Sequence, residues 1–436
     1  MSTVIPFAEP PWLDNLPSPL YTESHKKWQK HCRAFFEKNL LNNAMEWDRA
    51  GDVPPEVYDE FARANMLIPN LPTPLPVKWL KKVGIESIGP VKIEDFDYNH
   101  IAIYCSELAR CGVAGPPSAV TAGFRYGIPP ILHYANQALQ ERILPDLLLG
   151  RKRICIAITE PDAGSDVANV STTAVKTKDG RHYIVNGSKK WITNGIWSDF
   201  ATMCVRTSKA PGAAGLSVLL VPLRGHQGVS MRRMKVSGQA SSGTTFIELD
   251  DVKVPVENLI GTEGQGMKYL MTNFNHERLT IAIGVLTRAR VALSTAFEYT
   301  MKREAFGAPL IQQPVVRHRL AKAGADLEAC WAWVETLVHQ ISKMSKQDAD
   351  VRLGGLTGLA KAKSGIVLNQ CVIETAQLLF GGNGFTESGQ GELIARMARE
   401  VAGARIPGGS EDVMLDLAIR QLYKNYQRAM KQNSKL

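Results

Sequence analysis

The hydrophobic period changes twice along the chain, and these two changes restrict the fold more than any other feature. Ser24 precedes a run with Trp28, Cys32, Phe35, Phe36, Leu40 and Leu41, and Pro54 precedes another through Val57, Phe61 and Met66; both have helical spacing, as do Ile101–Arg110 and Gln137–Leu149. From Ile154 the pattern becomes nine short β-branched runs (ICIAIT, STTAVKT, RHYIVNG, KKWIT, FATMCVRT, LSVLLVP, VSMRRMKV, TTFIEL, VKVP), the spacing of an antiparallel barrel or sandwich. Lys178-Asp179-Gly180 is a hairpin signal between two of them. After Gly264 the helical period returns and persists to about Arg428. The order is α, β, α: a Pro/Trp-rich extended arm over 1–25, an α domain over 26–153, a β domain over 154–262 and a helical bundle over 263–436.

With 44% hydrophobic and 21% charged residues in 436, the chain has the composition of a folded globular protein, and neither disorder nor a coiled coil fits its whole length. The net charge of +9 favours anionic ligands without selecting one. Seven cysteines without Cys-x-x-Cys spacing predict reduced thiols in an intracellular compartment and no metal cage. No apolar run reaches the roughly 20 residues of a membrane span, the longest candidate being Leu216–Leu223, so stable membrane insertion is not expected; nor is a secretory leader. Ser434-Lys435-Leu436 reads as a peroxisomal import tripeptide, with a soluble import receptor as partner.

The sharpest string is Ile158-Thr159-Glu160-Pro161-Asp162-Ala163-Gly164-Ser165-Asp166, followed by Lys189-Lys190-Trp191-Ile192-Thr193-Asn194-Gly195. A strand end running into a Pro/Gly turn offers hydroxyls and backbone N–H groups to a phosphate, and Trp191 offers a flat face to a planar ring. Taken singly, each piece also reads as turn chemistry or a core tryptophan.

In this order the two strings resemble the acyl-CoA dehydrogenase family, and the resemblance extends over Glu248–Gly261, Lys302–Gly307 (KREAFG), Phe380–Phe385 (FGGNGF) and Arg405–Arg420. It implies an N-terminal α domain, a middle antiparallel β-barrel domain, a C-terminal four-helix bundle, noncovalent FAD and a homodimer or homotetramer. Carried over by motif, Ile158 and Thr159 contact the flavin ring, Ser165 the pyrophosphate, and Trp191 and Thr193 the ring face and N5 region; Ser410 completes this set. Arg303 and Phe306 reach the FAD of an adjoining subunit, where Gly381 and Gly382 permit close backbone approach. Ala305, Pro314 and the position of Gln377 depart from the usual pattern at these cross-subunit contacts.

The reaction so implied is α,β-dehydrogenation of an acyl-CoA: a carboxylate takes the α proton while the β hydrogen leaves as hydride to flavin N5. Many members carry the base as the Glu of a Tyr-Glu-Gly-Thr string, but here the string is Pro407-Gly408-Gly409-Ser410, which keeps only the Gly408 backbone N–H as an oxyanion donor. Isovaleryl- and long-chain-type members place the base in the middle of the first bundle helix, just before an arginine, and this chain has His276-Glu277-Arg278 at that place. Helical spacing sets Glu277 beside Leu270, Phe274 and Ile281, an apolar face on which a carboxyl pKa rises toward the working range. An ion pair is the structural alternative for Glu277; Glu411 is the runner-up base, otherwise an N-terminal helix carboxylate; Arg278 orders the site or the substrate.

Two other readings use the same fold. A flavin oxidase passing electrons to oxygen is one, although 436 residues leave no room for the extra C-terminal domain of peroxisomal acyl-CoA oxidases. A nucleic-acid-binding flavoprotein is the other, on the strength of Arg420, Lys424, Arg428, Lys431 and Lys435 in an acid-free tail, but no recognition motif accompanies them and nucleic acid is not the expected partner.

Overall fold

The structure, a computed structural model, describes residues 4–433. Ser434-Lys435-Leu436, read above as an import tripeptide, lie outside the described residues. The main helices are α1 (Glu23–Phe36), α2 (Pro55–Arg63), α3 (Tyr98–Ala109), α4 (Gly115–Ala122), α5 (Gln137–Leu148), α6 (Phe274–Lys302), α7 (Pro314–Lys343), α8 (Gly354–Cys371), α9 (Glu392–Arg405) and α10 (Glu411–Asn433). Between α5 and α6 lie β1 (Ile154–Ala157), β2 (Thr173–Lys176), β3 (His182–Ile192), β4 (Phe200–Arg206), β5 (Leu216–Pro222), β6 (Val229–Arg233), β7 (Thr245–Pro255) and β8 (Leu259–Ile260). The order is therefore an N-terminal helical domain, a middle β domain and a C-terminal helical domain.

Contacts divide the chain into two compact units that do not follow sequence order. One holds residues 4–45, Asp97–Ala114 and 275–433; the other holds Glu46–Phe96 and Gly115–Phe274. α1 and α3 thus belong with the C-terminal helices, and α2, α4 and α5 with the sheet.

In the sheet unit the eight strands run β8-β5-β4-β2-β3-β7-β6, with β1 added beside β4. Pairing is antiparallel except that β1 and β2 both run parallel to β4, a departure from the all-antiparallel expectation. The nine sequence runs also condense. RHYIVNG and KKWIT form the single strand β3, and TTFIEL and VKVP form β7, because the turn-like residues between them are register shifts, not reversals. Asn186 and Asp251 bridge the two strands there: Asn186 Nδ2 donates to Asp251 Oδ1 at 2.9 Å and the Asp251 N–H to Asn186 Oδ1 at 2.7 Å. The core under the sheet is Ala157, Val185, Met203, Val205, Leu219, Val221, Ile247 and Val252, all below 2% exposed; β3 and β7 alternate buried with more exposed residues, while β4 and β5 are buried on both faces and read as continuous apolar runs.

In the helical unit α6 is central and buried on most faces, from Leu279 and Ile283 through Ala289, Leu293 and Ala296. The Gly266–Lys302 stretch, 37 residues, is long and apolar enough to cross a membrane, against the expectation that no run is; 72% of its apolar window is buried inside the protein, as a core helix requires. The arm is not wholly extended: Pro11–Asp14 form a 3-10 turn, and Arg290, paired with Glu328 at 2.6 and 2.7 Å, donates to the Phe7 and Glu9 carbonyls and holds the arm on its own unit. All seven cysteines are buried and free.

Candidate functional site

In the sheet unit the two strings of the sequence are fastened together by one buried ion pair. The Lys189 ammonium, 0% exposed, donates to Glu160 Oε1 at 2.7 Å and to the Ile158 carbonyl at 3.1 Å. Glu160 also accepts from Ser171 N (2.7 Å), Ser171 Oγ (2.8 Å) and Thr172 N (2.9 Å), which closes the loop that follows β1. Burial alone would raise the Glu160 carboxyl, yet the Lys189 charge and these hydrogen bonds hold it down at about 2. The Lys190 N–H then donates to the Thr159 carbonyl at 2.9 Å, so Ile158 and Thr159 lie beside Trp191 and Thr193, with exposed Ser165 on the same loop.

Trp191 sits at a register shift of β3 with φ +60°, a conformation costly for an aromatic residue, and its indole stays 48% exposed under the Lys190 ammonium, 4.4 Å from the ring. A strained bulge that keeps a large ring half out of the core is what a stacking face for a planar ligand needs. These residues fit a flavin: a flat indole, hydroxyls at Thr159, Thr193 and Ser165, and open space where a Cβ on Gly164 would stand.

In the helical unit Glu277 falls in the first turn of α6, not in the middle of the helix as expected, because α6 begins only at Phe274; it is 7% exposed, between His276 (5%) and Arg278 (4%). His276 Nδ1 is 3.0 Å from the Tyr98 hydroxyl. Burial pushes the Arg278 guanidinium down, opposed by the neighbouring Glu277 charge. Leu270 lies in the short helix Gly266–Met271, set off from α6 by the turn at Thr272–Asn273. Gly408 has φ +72°, and a Cβ there would stand 2.8 Å from Ile281 Cδ1, one helical turn beyond Glu277. The fold thus brings the Gly408 turn to Ile281, one helical turn from Glu277. Glu411 is engaged elsewhere, accepting from Arg405 Nε at 2.8 Å and Nη2 at 2.6 Å, and Ser410 starts the last helix by accepting the Met414 N–H.

Lys361, 1% exposed, donates to the Arg405 carbonyl at 2.7 Å and the Gly409 carbonyl at 2.6 Å, under the turn that carries Gly408. Sequence reasoning missed it. The available signal was a lysine on the small-residue side of α8, three residues after Gly358 and four before Gly365, where helices approach closely and a cation needs built-in partners.

A third group forms at the far end of α6. Glu304–Ala305 and Ala308–Pro309 make a two-residue hairpin in which Phe306 (φ +56°) and Gly307 (φ +75°) are both left-handed; Phe306 is 94% exposed. Tyr299 stacks on Phe380 at 4.0 Å and accepts from Asn383 Nδ2 at 3.1 Å, which joins the Arg303–Phe306 hairpin to the Gly381-Gly382 turn. Gly381 has φ +56° and ψ −131°, open only to glycine. With 25 residue steps from Glu277 to Lys302 on one helix, this group is roughly 38 Å from Glu277 at 1.5 Å per residue, and does not share its site within one chain.

His25, Asp97 and His100 also come within metal-ligand range of one another. Their polar atoms are engaged in hydrogen bonds: His25 Nε2 and His100 Nδ1 both point at Asp97 Oδ1, at 3.1 and 2.8 Å, and the opposite ring nitrogens meet the Thr22 N–H and Ser24 Oγ. The cluster staples the starts of α1 and α3.

The family descriptions acyl-CoA dehydrogenase N-terminal, middle and C-terminal domain match residues 22–151, 155–252 and 264–423. The chain belongs to the acyl-CoA dehydrogenase family. It is 63% identical over 431 residues to acyl-CoA dehydrogenase apdG of Emericella nidulans, covering 99% of this chain and 98% of that protein. It is 33% identical to acyl-CoA dehydrogenase AFT10-1 of Alternaria alternata, over 98% of each. Butyryl-CoA dehydrogenase from Megasphaera elsdenii superposes with a TM-score of 0.79 at 27% identity, covering 92% of this chain and 99% of that one. Membership makes the protein an oxidoreductase acting on CH–CH groups, with FAD as cofactor.

Proposed function

We propose that this acyl-CoA dehydrogenase removes hydrogen from the α and β carbons of an acyl-CoA thioester, with Glu277 as the base and the Gly408 N–H as a donor to the thioester oxygen. The carrying observation is the packing of the Gly408 turn on Ile281, one turn beyond Glu277. FAD, when bound, supplies the acceptor for the β hydrogen as hydride. Glu277 takes the α proton, so two C–H bonds break and one C=C bond forms. Its burial excludes competing water, and Arg278 keeps an opposite charge beside it. In the sheet unit Trp191 and Thr193 hold the flavin ring, Ile158 and Thr159 its edge, and Ser165 the pyrophosphate. Anaerobic mixing with acyl-CoAs of graded chain length and branching tests the reading: at least one must bleach the flavin, and oxygen or an electron-transfer flavoprotein added afterwards identifies the acceptor. Trp191→Ala should weaken FAD retention by at least tenfold, the order of one lost stacking contact; unchanged flavin content after dialysis would contradict the placement.

The active form we infer is a homodimer or homotetramer in which Arg303, Phe306, Gly381 and Gly382 reach the FAD of an adjoining subunit. The separation along α6 and the near-complete exposure of Phe306 and Phe385 support this, as does the exposed stripe Leu415, Ile419, Tyr423, Tyr426 and Met430 on α10. The same stripe places two tyrosines among the tail's basic residues, but its aliphatic members favour a protein contact over nucleic acid. A fully active monomer in light scattering would refute the shared site; Phe306→Ala is expected to lower FAD occupancy without unfolding the chain.

Peroxisomal import through Ser434-Lys435-Leu436 is also proposed. A fluorescent fusion should lose its punctate location when Lys435 and Leu436 are removed, and retention of that pattern would count against it.

A further inference from the structure

The turn that carries Gly408 has little of its own to hold it. Pro407 lacks an N–H, Gly408 and Gly409 lie at φ +72° and +99°, and α9 and α10 end and begin on either side with the Ile406 N–H on the Ala402 carbonyl and the Met414 N–H on the Ser410 carbonyl. Glycine pairs sample many backbone states, so this peptide plane needs an outside constraint to point one way. Lys361 supplies one: its two hydrogen bonds end on the Arg405 and Gly409 carbonyls, the peptides that flank Pro407–Gly408 on each side. Its surroundings are charged as well as polar. Arg278 faces it from α6, Arg405 from the end of α9 and Glu411 from the start of α10.

We propose that Lys361 is a positioning residue for the thioester chemistry: it clamps the Arg405–Gly409 turn so that the Gly408 N–H stays aimed at the substrate oxygen, and it sets a positive charge behind that donor. The inference rests on Gly408 acting as the oxyanion donor, as proposed above. Negative charge develops on the oxygen as the α proton leaves, so a donor fixed in advance and backed by a buried cation stabilises the transition state more than the bound ester. Burial and the Arg278 charge, against Glu411, push the Lys361 ammonium down to about 8. The charged form therefore prevails below about pH 8 and is lost as pH rises through that value, taking its share of the stabilisation with it.

The test is Lys361→Met in the flavin-loaded enzyme, with Lys361→Arg beside it. Lys361→Met should keep its FAD and assembly state, lower kcat by about 10- to 100-fold with a much smaller change in KM, and lose the alkaline limb near pH 8. A 3-oxoacyl-CoA, whose enolate is seen by its ultraviolet band, should bind as enolate to the wild type and as the keto form to Lys361→Met. Lys361→Arg keeps a charge that does not titrate, so its alkaline limb should vanish even if the methionine variant does not fold. A folded Lys361→Met with wild-type kcat and enolate binding, or a limb that persists in Lys361→Arg, overturns the proposal. Failure of the underlying reading looks different: Glu277→Gln would then reduce flavin normally, or no acyl-CoA would reduce it in the wild type.

Discussion

Glu277→Gln should slow flavin reduction by substrate by roughly two decades or more, the lower range for a positioned general base, while acyl-CoA affinity changes little. The amide keeps the size and burial of the carboxylate and removes only its ability to take a proton. Glu411→Gln is the control. Because Glu411 is held by two hydrogen bonds from Arg405, its loss should affect stability and leave the chemical step within a few-fold of wild type. If Glu411→Gln abolishes reduction and Glu277→Gln does not, the base lies at the start of the last helix. Adding Gly408→Glu to Glu277→Gln is expected to restore little, since a φ of +72° strains any L side chain there even where Ile281 Cδ1 gives way.

The largest effect on stability is expected from Glu160→Ala, at about 3–5 kcal/mol, because it leaves Lys189 buried and uncompensated and removes the acceptor of three further hydrogen bonds. The double variant Glu160→Ala/Lys189→Met should recover much of that loss, since an apolar replacement of both partners leaves no buried charge. Urea midpoints and the temperature of flavin release report both effects; equal destabilisation in the single and double variants would refute the ion pair as the fastening. The pair also predicts a pH dependence. The Glu160 carboxyl is held at about 2 in the folded chain against an ordinary value near 4.5, so its contribution is full above about pH 4.5 and is lost as pH falls toward 2.

The strings of the candidate site are local in sequence, which made them legible there. The Thr159–Ser165 string and the Trp191–Thr193 string each sit in one turn or strand end, and Glu277 stands within one helical turn of Ile281, so short-range geometry already implies their surroundings. The α-β-α order was legible for the same reason: burial of one face imposes a period of 3.6 or 2 on the residues that face it. What misled was local too. Asn186-Gly187 and Asp250-Asp251 have turn composition, yet each is a bulge inside a continuous strand, because the partner strand carries a matching irregularity that no single run reveals.

The sequence by itself determined the family, the strand and helix periods, and the absence of a side chain at Gly408. Only the tertiary structure decided that Gly408 lies on Ile281 beside Glu277, 131 residues earlier, that Lys361 clamps the turn between them, and that Arg303 lies too far along α6 to serve the same site. These are contacts between segments remote in the chain, and no periodicity records them. They are fixed when helices pack on one another, because a buried ammonium or carboxylate must find its partners wherever the fold brings them.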